Sequence, residues 1–102
     1  MIHVFATITA QPGQREAVLE LFKANRPAVL AEAGCVSYEA VVDVPGFGGF
    51  QTPLGNDTFG VVERWESAEA LHAHAAAPHM AEYASKTRPL LANRVINVLQ
   101  AY

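Results

Sequence analysis

The stretch TFGVVERWESAEALHAHAAAPHM, residues 58–80, reads as a strand that gives way to a helix at Ser67. From Thr58 to about Glu66 it is rich in Val, Phe and Trp, residues that suit a pleated, half-buried surface. Alternation places Val61 and Trp65 on one side of the strand and Val62 on the other. A sheet that is apolar on both faces needs cover on both. Ser67 is a good N-cap for a helix that begins at Ala68, with Leu71 as its inward anchor. Pro78 suits the first turn of a helix and not its interior, so it opens a second helical segment. That segment has an inward face of Met80, Ala84, Thr87 and Leu91, and Pro89 marks its end.

Working outward, IHVFATITA (residues 2–10) alternates Val4, Ala6 and Ile8 with His3, Phe5, Thr7 and Thr9, which predicts a first strand. Gln11-Pro12-Gly13 supplies the turn. From Gln14 to Glu32, Ala17, Val18, Leu21, Phe22, Ala28 and Val29 recur at helical spacing. Pro27 is expected to kink or interrupt that helix, and Gly34 to end it in a left-handed conformation. A second strand is predicted from about Cys35 to Val44 and a last one over RVINVLQAY, residues 94–102. The order β-α-β-β-α-β implies an α+β, ferredoxin-like sandwich: a four-stranded antiparallel sheet with helices on one face, in a single domain over residues 1–102. Another copy of the chain is the simplest cover for the open face, so a homodimer packed sheet against sheet is expected.

Composition narrows the function. Of 102 residues, 51% are hydrophobic and 17% charged, an apolar surplus that suits a ligand cavity and a subunit interface. Seven basic against ten acidic residues give a formal charge of −3, without a Lys/Arg cluster, so the footprint of a nucleic-acid binder is missing. No apolar run is long enough to span a bilayer and the N-terminus lacks a basic start, so neither a membrane segment nor a signal peptide is read. Cys35 stands alone and excludes an internal disulfide, which fits a reducing cytoplasm. No nicotinamide or flavin fingerprint occurs, and PGFGGFQTPLGN (residues 45–56) lacks the Lys-Ser/Thr of a phosphate cradle. That long connection, with Phe47 and Phe50, is expected to form a lid or an arm across the dimer.

Three of the four histidines fall within residues 72–79, which suggests a metal site at first sight. Helical geometry argues against one. At about 100° per residue, His72 and His74 lie about 200° apart and cannot chelate one ion from a helix. The HExxH spacing is absent and no carboxylate sits at a suggestive offset, so no metal is expected. His72 should face solvent, and His79 starts the segment after Pro78. His74 leans inward beside Leu71. It is either a core histidine satisfied by a backbone carbonyl or a proton acceptor working near neutral pH.

The opening MIHVFATITAQPGQREA, Glu32-Ala33-Gly34-Cys35 before the second strand, Glu63-Arg64-Trp65-Glu66-Ser67 closing the third, and Ala73-His74 followed by Pro78-His79 resemble the antibiotic biosynthesis monooxygenase family of small dimeric α+β-barrel proteins. The resemblance implies cofactor-free oxygenation of a small quinol- or anthrone-like aromatic by molecular oxygen, or haem degradation in another branch. In the first chemistry the substrate supplies the electrons. The protein removes a phenolic proton, excludes water and stabilises the oxyanion. Trp65 matches the family's pocket tryptophan, implied to stack on a substrate ring or donate its indole N–H. Anthrone-oxidising members carry an Asn and a Tyr where this chain has Val61 and Leu71, so their polar pair is missing. Haem-degrading members carry an Asn on the first strand, and this strand has none.

The residues offered in their place are His74 as base, with Trp65 and Glu63 beside it. Glu63 shares the face of Trp65 and is either a second acid/base or the partner of a nearby Arg. Tyr83, His79, Met80, Leu71 and Val61 are expected to line the substrate pocket. Arg64 has the opposite parity and should lie at the dimer interface or in solvent, while Arg88 and Arg94 have no assigned place. The same pocket also suits a cofactor-free isomerase or lyase, or a non-catalytic dimeric small-molecule-binding protein.

Overall fold

A computed structural model describes residues 1–102. The elements are β1 (Ile2–Ala10), α1 (Arg15–Leu30), β2 (Cys35–Val41), β3 (Thr58–Trp65), α2 (Ala68–Ala75), α3 (Pro78–Thr87), a short 3₁₀ turn (Arg88–Leu90) and β4 (Leu91–Leu99). The four strands form one antiparallel sheet in the order β2-β3-β1-β4. All helices pack on one face, as the alternation in β1 requires: Val4, Ala6, Ile8 and Ala10 are buried there. Val18, Phe22 and Val29 of α1 close over them, with Phe59, Val61 and Trp65 of β3 and Tyr38 of β2. Phe22 stacks on Tyr38 at 5.0 Å between ring centroids and meets Phe59 edge-on at 6.4 Å. The Arg26 Nε donates to the Tyr38 carbonyl at 2.6 Å, tying α1 to β2.

The strand limits differ from the sequence reading where ladder partners run out. β2 stops at Val41, opposite Gly60, and does not reach Val44. β4 begins at Leu91, because Leu91 pairs with Ala10 across a bulge, and it ends at Leu99, opposite His3 near the start of β1. Pro27 does not interrupt α1. It lies in the last turn, where its missing amide removes one bond, and its own carbonyl still accepts from the Ala31 amide at 3.1 Å.

Gly34 does not cap α1 either. The helix ends at Leu30 and Ala31 stays right-handed, while Gly34 takes φ +83° in the turn that enters β2. There its carbonyl accepts from the Glu66 amide at 2.9 Å, and a Cβ would stand 2.6 Å from the Cβ of Ala70. Glycine is needed twice at this point, for the backbone conformation and for the close approach of α2.

Ser67 caps α2 as expected, its hydroxyl accepting from the Ala70 amide at 3.1 Å. The connection from β2 to β3 is held at its base by Asp43. Its carboxylate accepts from the amides of Leu54 and Gly55, which lowers its pKa. Phe47 and Phe50 meet edge to face at 5.0 Å at its tip, and Phe50 is 86% exposed. No helix is long and apolar enough to cross a membrane.

Replacing Gly34 by alanine combines a left-handed backbone with a steric clash. Gly34→Ala is expected to lower stability by about 2–3 kcal/mol, read as a shift in the urea midpoint at unchanged m-value.

Candidate active site

Between the helix face of the sheet and α2–α3 lies a cavity of about 830 Å³, within the range of small-molecule sites. Val4, Ala6 and Ile8 of β1 form its floor, continued by Ile96 and Val98 of β4. Leu71, Met80 and Tyr83 supply the opposite wall, and Val61, Glu63 and His74 also line it. The cavity is apolar with a few convergent polar groups, the composition that positions an aromatic ligand.

Its polar end is assembled from segments far apart in sequence. His74, on α2, is buried, and its imidazole is held between two aromatic rings. Trp65 lies at 4.7 Å with a 39° tilt, and Tyr38 lies edge-on at 5.5 Å. His74 Nδ1 is 2.8 Å from Oε2 of Glu32, in the turn after α1. A carboxylate can only accept, so this contact places the proton on Nδ1 when Glu32 is ionised, leaving Nε2 with a free lone pair. Nε2 makes no hydrogen bond within the chain and is not sealed from solvent.

The same Glu32 oxygen lies 3.4 Å from Nε2 of His79. The other nitrogen of His79 is 3.2 Å from Oδ1 of Asn25, whose amide nitrogen in turn meets the sulfur of Met80. His79 Nε2 is buried and forms no hydrogen bond of good geometry. His79 does not line the large cavity, contrary to the sequence expectation. Pro78 starts α3 so that His79 turns toward α1, where it borders a smaller crevice of about 170 Å³ with Asn25, Glu82 and Lys86. These histidines do not form a metal-binding group with a third ligand.

Trp65 also differs from its expected place. It is fully buried and is not part of the cavity wall, so no substrate ring stacks on it directly. Its indole N–H is already donated, at 2.9 Å, to Oε1 of Glu63. Glu63 thus pairs with an indole and not with an arginine, because strand alternation sets Arg64 on the opposite, exposed face. The shared face of Glu63 and Trp65 is as read from sequence, and Glu63 is the member that reaches the cavity. Burial pushes the Glu63 acid up. Its indole bond and the charge of His74 oppose this, and Glu32 adds to it. Tyr83 lines both openings, and burial pushes its phenol up to about 12, so it stays a hydroxyl donor at neutral pH. Val61, Leu71 and Met80 lie in the wall as expected, and His72 is exposed at the rim.

Glu32 was not singled out by the sequence reading. No spacing rule connects it to His74, because the two meet only when the turn after α1 is laid beside α2. The sole available signal was its position in the block Glu32-Ala33-Gly34-Cys35.

The sequence profile of the antibiotic biosynthesis monooxygenase family matches residues 1–86, and this chain belongs to that family. It is accordingly a monooxygenase-type oxidoreductase on the ferredoxin-like α+β fold. Among its relatives is the protein named probable quinol monooxygenase YgiN of Escherichia coli strain K12. That protein is 37% identical over 102 residues, spanning 98% of this chain and 97% of the relative. Among solved structures, PA3566 from Pseudomonas aeruginosa superposes with a TM-score of 0.82 at 29% identity, covering 99% of this chain and 93% of that one. Rv0793 from Mycobacterium tuberculosis superposes with a TM-score of 0.80 at 26% identity, covering 99% and 94%.

The raised Glu63 acid has a sign that can be checked. A carboxyl whose folded pKa lies above its unfolded value contributes stability that is fully present below the unfolded pKa and lost as pH rises through the folded one. Glu63→Gln keeps an acceptor for the Trp65 indole and removes this titration. Urea unfolding followed from pH 4 to pH 7 should show a smaller loss of stability in the variant than in the wild type.

Proposed function

We propose that this chain oxidises a small quinol-like aromatic with molecular oxygen, without an added cofactor, using His74 as the base. One observation carries the reading: His74 is fixed through Nδ1 by Glu32 while its Nε2 stays free at the wall of an apolar cavity. A histidine so oriented is a proton acceptor of defined tautomer, which a merely structural histidine has no need to be. The cavity volume suits a quinol of one to three rings, and the name of the E. coli relative points to the same substrate class.

In this mechanism His74 Nε2 takes a phenolic proton, and the imidazolium is stabilised by Glu32 beside it. The electron-rich phenolate is held in the apolar cavity, where Tyr83 is a hydrogen-bond donor for its oxygen. The anion passes an electron to oxygen, and a carbon–oxygen bond forms on the ring. The oxygen–oxygen bond then breaks. One atom remains as the new ring oxygen, and the other leaves as water, which takes the proton returned by His74 and the proton lost from the ring carbon that was oxygenated. Quinol plus oxygen thus gives hydroxyquinone plus water, with the quinol as sole reductant. Trp65 acts as a positioning residue, packing on His74 and orienting Glu63.

The same reading includes a homodimer. The open face of the sheet carries Phe5, Val62, Val95 and Leu99, the last three between 38% and 51% exposed. A second copy laid sheet against sheet would cover them. No residue of 45–56 lines the cavity, which favours an arm across that interface over a lid for the loop.

Oxygen uptake by metal-free protein with a panel of hydroquinones tests the activity. Uptake with one labelled oxygen atom in the product is expected, and none across the panel would overturn the reading. His74→Ala is expected to lower kcat by roughly a hundredfold or more, and Glu32→Gln by about tenfold, through loss of the tautomer lock. Circular dichroism should show both variants folded. In sedimentation, Val62→Glu should turn a dimer into a monomer, whereas a wild-type monomer at micromolar concentration would remove the sheet-to-sheet assembly.

A further inference from the structure

The cavity is not symmetric in charge. Its one carboxyl, Glu63, stands opposite Val4, on β3. Its arginines stand at the far end: Arg94 pairs with Ile8 on β4, on the same face of the sheet, and Arg88 approaches from the 3₁₀ turn after α3. From Val4 to Ile8 is four residues along β1, and two strand spacings separate β3 from β4. At ~3.4 Å per residue and ~4.8 Å per strand, Glu63 and Arg94 are about 17 Å apart between Cα atoms. Once the reach of the two side chains is subtracted, that diagonal leaves room for about two fused rings, over a floor made by Ala6, Ile8 and Ile96.

Neither arginine is neutralised within the chain. The ion pairs are Arg15–Glu16, His74–Glu32, His79–Glu32 and Lys86–Glu82, so Arg88 and Arg94 have no carboxylate within 4.0 Å. Both are exposed at the cavity's edge, where a guanidinium keeps its charge at any physiological pH and presents a planar fork of donors. Two such groups at the rim of an apolar cavity, in a chain of net charge −3, form a local exception to the overall field.

We infer that the substrate is an aromatic quinol bearing an anionic group, most simply a carboxylate, on the ring remote from the oxidised one, and that Arg88 and Arg94 recognise it. This rests on the proposed quinol oxidation and adds its specificity. Polarity also sets the binding direction. An anion is attracted at the arginine end of the cavity, opposite His74, so the neutral hydroxylated ring is the one delivered to His74. Carboxylate–guanidinium pairing is bidentate where geometry allows, which orients the ring plane as well.

A matched pair of ligands tests this: 5,8-dihydroxynaphthalene-2-carboxylate and its methyl ester. Steady-state oxygen uptake gives kcat/KM for each, and anaerobic calorimetry gives each Kd without turnover. The wild type should favour the acid over the ester. The preference should shrink with added salt, and the double variant Arg88→Gln/Arg94→Gln should reduce the acid-to-ester ratio about tenfold, chiefly in KM. Because the ratio is taken on one protein, a general loss of folded enzyme does not mimic the effect. Equal treatment of acid and ester by the wild type, or a ratio untouched by the double variant, overturns the inference. If neither ligand is oxidised yet the acid binds more tightly through the arginines, the anion site stands and the quinol oxidation falls. If both are oxidised without an arginine-dependent preference, the reverse holds.

Discussion

A four-stranded sheet with helices on only one face is the constraint from which the other features follow. Three helices cannot cover four strands evenly. α1 sits over β2 and the centre of the sheet and buries Phe22 against Tyr38 and Phe59, while β4 is left uncovered along nearly its whole length. The space between β4, β1 and the α2–α3 layer becomes the cavity. The opposite face keeps Phe5, Val62, Val95 and Leu99 without a helix over them. Site and proposed interface are therefore two results of one incomplete layer.

Within the cavity, the energetic problem is how to bury titratable groups beside apolar walls. For Glu63, burial pushes the acid up while the Trp65 indole donates to it; for His74, the Glu32 carboxylate stands beside the ring. An unpaired buried charge costs several kcal/mol, so each group needs its partner to stand beside these walls. The partners are also what give the groups direction. Glu32 selects the tautomer of His74, and the rings of Trp65 and Tyr38 fix the plane in which Nε2 is offered. Stability and orientation are met here by the same contacts.

Much of the fold was legible because its signals are local. Alternation in residues 2–10, the Ser67 cap and the Pro78 restart each act over a few residues, and all three hold. Errors fell where a distant partner decides: β4 begins early because Ala10 offers Leu91 a pairing site, and Gly34 serves a close approach to α2 where a helix cap was expected. At the site, parity alone put Glu63 beside Trp65. Parity did not tell that the indole N–H is spent on Glu63, nor that helix rotation after Pro78 takes His79 out of the main cavity.

The sequence by itself determined the element order, the alternation of the first and third strands, the inward lean of His74 and the membership of a monooxygenase family, since periodicity and short motifs encode these directly. Only the tertiary structure decided which carboxylate orients that histidine, which groups face the cavity and how charge is distributed along it. Glu32 and His74 are separated by 42 residues, and Glu63 and Arg94 lie on strands that are not neighbours. Relations of that kind arise from how elements pack in space, and no spacing along the chain records them.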